Sequence, residues 1–324
     1  MSRKLFLATL FLLAHTNVFC WGFFAHEKIN YYAVFLLPPG MMVFYKPHIE
    51  FLREHAVDPD KRRYMILQEG ARHYIDIDRY GAYPYVALPH NWEEAKARFG
   101  EDTLMANGIV PWWTQQMLGR LTRAFREKDA SAILKLSAEI GHYIADVHVP
   151  LHASQNHNGQ LTNQKGIHAF WESRIPELLA EKEWDFFVHK ADYISDPDDF
   201  IWKRVLESGR QADTVLQNEK ALSNHFPADQ QWAFETRNGR LVRQYSSAYT
   251  IAYDRQLRGM VERRMRQSVY AVASFWYTAW VNAGQPDLSG LSRQNSSRTD
   301  SLEFNQLNTA WRKGAVPGMD REQE

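Results

Sequence analysis

The stretch GHYIADVHVPLH holds His142, Asp146 and His152. On a helix, residues four apart share a face, so His142 and Asp146 would point the same way. Pro150 ends such a helix and lets His152 fold back from the following turn. In IHAFWES, His168 and Glu172 repeat the four-residue spacing. Upstream, RHYID supplies His73 and VDPDKRR supplies Asp58 and Asp60, while His26 stands five residues after Trp21. Imidazole and carboxylate are the donors that hold Zn²⁺ when thiolates are lacking. So many donors suit more than one ion. Closely spaced zinc ions can hold a hydroxide and both oxygens of an in-line phosphoryl displacement.

Taken singly, each fragment has a plainer meaning. A His-x3-Asp pair is more often a surface hydrogen bond than a metal site, and His168 with Glu172, or His26 alone, says little. His48, His55, His90, His157, His189 and His225 have no partner at a ligand spacing and read as surface or core histidines. His148 falls on another helix face from Asp146 and reads as a supporting residue. Trp112, Trp113, Trp276 and Trp280 read as core, and the basic run from Arg255 to Arg266 as a solvated helix face.

Composition narrows the field. The chain of 324 residues has 38 Lys+Arg against 38 Asp+Glu, and 45% of its residues are hydrophobic, enough for a packed core. A generic nucleic-acid scaffold held by a basic surface is excluded, but an enzyme that grips one or two phosphates through metal ions is not. Residues 1–20 read as a secretory signal peptide, with Arg3 and Lys4 ahead of the apolar run Leu5 to Ala14. Cleavage after Cys20 makes Trp21 the new N-terminus and leaves a mature chain without cysteine, secreted or periplasmic. The rival is a lipoprotein acylated at Cys20, which the bulky Phe19 disfavours. No later segment has the roughly 18 uninterrupted apolar residues of a membrane span, and Ser268 to Ala283 reads as a buried helix.

Apolar periodicity predicts helices near 25–36, 41–56, 104–127, 130–148, 168–181, 197–218 and 247–283. Strand-like alternation is scarce. The expected architecture is all-α: one multi-helix domain over 21–284 around a central site, then a polar, mobile tail over 285–324 in which Leu302 to Trp311 docks.

Together these residues resemble the superfamily of bacterial zinc-dependent phospholipase C and the fungal and plant single-strand-specific zinc nucleases. The resemblance runs in blocks from Trp21 to Glu172 and includes the C-terminal helix GMVERRMRQSVYAVASFWYTAWVNAG. It implies an all-helical fold around a tri-zinc cleft, with an N-terminal Trp whose free amine and carbonyl ligate a zinc. One ion would take Trp21, His26 and Asp146. A neighbour would take Asp60, His73, His142 and the bridging Asp146, with Asp58 as the alternative to Asp60. A third ion would take His152, His168 and Glu172. The implied activity is hydrolysis of a phosphoric diester, with Asp60 and Asp146 in catalytic roles.

Subfamily features divide. The Trp-x4-His spacing looks like the nucleases. The segment LHASQNHNGQLTNQKGIHAFWE lacks their Gly-Gly-Asn and ends in Glu, which looks more like phospholipase C. The preferred expectation is a phospholipase C releasing diacylglycerol and a phosphorylated head group. The alternatives are a single-strand endonuclease and a noncatalytic zinc-binding helical protein. Phospholipid or single-stranded nucleic acid is the expected partner; no protein partner is predicted.

Overall fold

Gly108 and Gly259 adopt left-handed backbone, with φ of 87° and 68°, and each divides a periodic stretch that reads in the sequence as one helix. The computed structural model describes residues 22–237, 240–291 and 298–313. It is 70% helix and 4% strand, so the all-α expectation holds at the level of class. The first half runs α1 (Phe23–Val34), α2 (Pro39–Tyr45), α3 (Ile49–Glu54), α4 (Asp58–Arg62), α5 (Trp92–Phe99), α6 (Glu101–Asn107), α7 (Val110–Glu127) and α8 (Ala130–Asp146). The second runs α9 (Ile167–Ala169), a π-helical segment Phe170–Arg174, α10 (Ile175–Glu183), α11 (Pro197–Ser223), β1 (Trp232–Arg237), β2 (Arg240–Tyr245), α12 (Ser247–Gln256), α13 (Met260–Asn282) and α14 (Arg298–Lys313).

Helix α8 is the axis of the molecule. Asp129 caps it by accepting the Ala132 N–H at 3.0 Å. From Ser137 to Asp146 every residue is buried, so α1, α3, α7 and α13 must all pack on it. A helix enclosed this way needs partners for its polar groups. Trp276 of α13 donates its indole N–H to the Ser137 carbonyl at 2.9 Å. Asn30 of α1 donates to the carbonyls of Ala138 and Leu52 at 3.0 and 3.1 Å. That contact requires Gly141, because a Cβ there would overlap the Asn30 carboxamide. The close approach brings His26 of α1 over His142 of α8, their rings stacked 3.7 Å apart.

Two findings depart from the sequence expectations. An antiparallel hairpin pairs Trp232 with Tyr245 and Phe234 with Arg243. Its signal was present in the alternating side chains and the Asn238-Gly239 dipeptide between the strands. Arg264 is buried rather than solvated: it donates to the His148 carbonyl at 2.6 Å and to Ser208 and Glu207, tying α13 and α11 to the turn after α8. In the C-terminal stretch, where the sequence expects Leu302 to Trp311 to dock, α14 packs on α4. Leu307 is buried there, Phe304 lies 4.4 Å from the His55 ring, and Trp311 meets Phe23 at 5.3 Å.

Among the described residues no helix is long and apolar enough to cross a membrane. The stretch 268–283 falls in α13 and its C-cap, with Val269, Val272, Phe275 and Trp276 in the core. The expected leader and Trp21 lie outside the described residues.

Candidate metal centre

Helices α1, α4, α8 and α9, the π-helical segment and the turns at 73 and 152 deliver eight of the expected ligands to one buried region. They fall into three groups: His26, His142 and Asp146; Asp60, His73 and His142; His152, His168 and Glu172.

In the middle group, His142 Nε2 stands 3.0 Å from His73 Nδ1, 3.3 Å from Asp146 Oδ2 and 3.6 Å from Asp60 Oδ1. His73 Nδ1 stands 3.1 Å from Asp146 Oδ2 and 3.7 Å from Asp60 Oδ1. Donors about 2.05 Å from an ion at the centre of a tetrahedron lie about 3.3 Å apart. These separations scatter around that edge length, so the four donors fit one tetrahedral cation. His152 Nε2, His168 Nε2 and Glu172 Oε2 form a triangle with sides of 3.0, 2.9 and 3.5 Å. Among the described residues these three donors form one group.

Asp146 joins the groups. Its Oδ2 faces His73 and His142, while its Oδ1 lies 3.5 Å from His26 Nε2. The two oxygens of one carboxylate therefore serve two groups.

Backbone carbonyls set two tautomers. His142 Nδ1–H donates to the Ala56 carbonyl at 2.8 Å and His152 Nδ1–H to the His73 carbonyl at 2.7 Å, which leaves each Nε2 lone pair for its group. Both nitrogens of His26, both oxygens of Asp60 and Oδ1 of Asp146 are buried and make no hydrogen bond among the described residues. Leaving such atoms unmatched is costly unless a cation supplies the partner.

Asp58 turns elsewhere: its carboxylate accepts from His55 Nδ1 at 2.6 Å and lies 3.6 Å from Lys61. The α4 turn thus sends Asp60 into the cluster and Asp58 away from it. His148 supports the turn after α8, its Nδ1–H donating to Ile144. Trp112 and Trp113 are core residues. His157, which the sequence reads as a surface or core histidine, is buried with its ring 6.1 Å from that of His168.

Burial and the neighbouring donors set the titration of these groups. Burial opposes charge on His142, but Asp146 and Asp60 outweigh it and push its pKa up to about 9. Burial, with Asp146 close by, raises Asp60 to about 7. Desolvation drives His26 down to about 3, with His142 adding to the effect. Burial also opposes charge on Asp146, yet His142 and His152 hold it well below the usual range.

A cation must displace the protons on His142 and Asp60. The sign follows: raising the pH removes the competitor, so apparent affinity climbs up to pH 7, less steeply to pH 9, and then levels. Zinc binding at pH 7 should release about one to two protons from this group. Calorimetry in buffers of different ionisation enthalpy measures that number. Release of none would show that these donors do not take the ion.

Comparison of the chain with protein-family models and with curated proteins finds no match.

Proposed function

We propose that this chain is a zinc-dependent phosphoric diester hydrolase of the phospholipase C and single-strand nuclease type, acting on phospholipid. The observation that carries the reading is Asp146, whose two oxygens face two donor groups within one buried cluster. A lone structural ion needs no such shared carboxylate. Metal ions held there would supply an acidified water and positive charge against phosphate oxygens. Asp60 faces the cluster through Oδ1, and its Oδ2 makes no hydrogen bond among the described residues, so it is placed to accept a proton. His152, His168 and Glu172 would hold an ion that adds positive charge against a substrate oxygen.

Lipid is favoured over nucleic acid by the loop between the last ligands. Reading a base needs polar groups that are free to meet its edge. Here Asn156 Oδ1 accepts from the Leu161 N–H and Asn158 Oδ1 from the Gly166 N–H, both at 2.8 Å. Gln160 donates to the Gln155 carbonyl at 2.6 Å, and Gln164 to the Leu216 carbonyl at 2.8 Å. These amides hold the loop's shape and, through Gln164, its contact with α11. The exposed apolar side chains Met65, Ile66 and Leu67 lie on the connection from Asp60 to His73, and Leu161 on that from His152 to His168. The nuclease reading keeps one feature of its own, the short spacing from Trp21 to His26.

Zinc-loaded protein is expected to hydrolyse a short-chain phosphatidylcholine faster than single-stranded DNA at equal phosphodiester concentration. A chelator should stop both reactions. Degradation of DNA with the lipid untouched replaces phospholipase by nuclease, and no turnover of either with zinc bound favours the noncatalytic alternative.

A further inference from the structure

His73 offers Nδ1 to the donor cluster, and its other nitrogen faces a second set of buried polar groups. Glu69, four residues earlier in the 3₁₀ segment Leu67–Arg72, is fully buried. Its Oε1 accepts from the Tyr143 hydroxyl and lies 3.5 Å from Arg62 Nη1 and 3.8 Å from His73 Nε2. Its Oε2 accepts from Arg72 at 2.5 Å. Arg62 also donates to Glu139 of α8. Two guanidinium groups thus hold the Glu69 carboxylate in place, while His73 Nε2 makes no hydrogen bond among the described residues.

We infer that Glu69 is a positioning residue that holds the His73 proton on Nε2 and so keeps the Nδ1 lone pair aimed at the ion. The argument is a competition for one proton. In the neutral ring either nitrogen carries it. On the Nδ1 side Asp146 Oδ2 waits at 3.1 Å, and a proton there would block ligation. On the Nε2 side the carboxylate group that faces the ring is Glu69, its Oε1 at 3.8 Å. Once a cation claims Asp146, the pull on the Nδ1 side is gone and the Glu69 contact counts in full. Carboxylates behind ligating imidazoles act this way in metal sites generally. The inference rests on the metal-binding reading above but adds a residue that belongs to none of the three donor groups.

Zinc affinity of the full mature chain, measured by competition with a chromophoric chelator, tests it. Glu69→Gln is nearly isosteric and should weaken one binding event by about 10–100-fold while leaving the others as in wild type. Glu139→Gln is the control, because it removes the same charge from the same network without facing His73. If Glu69 acts only through its charge, the two variants will weaken zinc alike and the positioning role is overturned. Unchanged affinity in Glu69→Gln overturns it as well. If Glu69→Gln does not fold, ¹⁵N spectra of the zinc-loaded wild type decide: His73 must keep a protected Nε2 proton, and ligation through Nε2 refutes the inference. Wild-type protein that binds no zinc at all would instead defeat the functional proposal itself.

Discussion

Asp146→Asn is expected to strip more than one metal ion from the protein and to abolish turnover. Asparagine keeps the volume of the side chain but removes the charge, and its amide nitrogen repels a cation. The effect should be large because the two carboxylate oxygens face different donor groups, so one substitution damages both. It also deprives His142 of the anion that chiefly holds its proton. The loss should exceed the roughly 10–100-fold typical of residues behind the ligands. Elemental analysis together with phosphatidylcholine turnover measures it, with far-UV circular dichroism as the check on folding. Near-normal metal content and activity would show that Asp146 does not bridge.

Glu172→Gln should act locally. Glu172 belongs to the triangle with His152 and His168 and to neither other donor group. One ion per chain should be lost while the rest remain, and turnover should still fall by more than an outer residue would cost, because Glu172 is itself one of the three donors of its group. The π-helical segment that carries Glu172 is held from both sides. Phe170 stacks on Tyr245 at 3.8 Å, and Arg174 reaches Glu235 at 2.6 Å. The backbone should therefore keep its shape in the variant. Loss of every ion would mean that the triangle is not an independent site.

The two experiments probe ligands that differ in how openly the sequence shows them. His142 with Asp146, and His168 with Glu172, are legible because both members of each pair ride on one helical run, where spacing maps directly onto direction. Asp60 against Asp58 is not decidable that way, since a short turn can present either side chain. The structure sends one to His73 and the other to His55. Glu69 has the same four-residue spacing to His73, yet its setting depends on Arg62 and Tyr143 converging from separate segments, beside its neighbour Arg72. Arg264 escaped for a related reason: a basic run looks solvated until α11 and the turn after α8 close over one member of it. Helix breaks at Gly108 and Gly259 were hidden because periodicity continues across a residue that reverses the backbone. The hairpin was the avoidable miss.

Gly141 and Asn30 carry a consequence for descent. The side chain of one fills the space that a side chain of the other would need, and the same contact seats His26 over His142. Neither position can drift alone. A descendant that gains even a methyl group at 141 must shorten residue 30 in compensation and find new donors for the Ala138 and Leu52 carbonyls. Across a set of related chains, positions 30 and 141 should therefore change together or not at all, leaving a paired substitution record beside the candidate metal ligands.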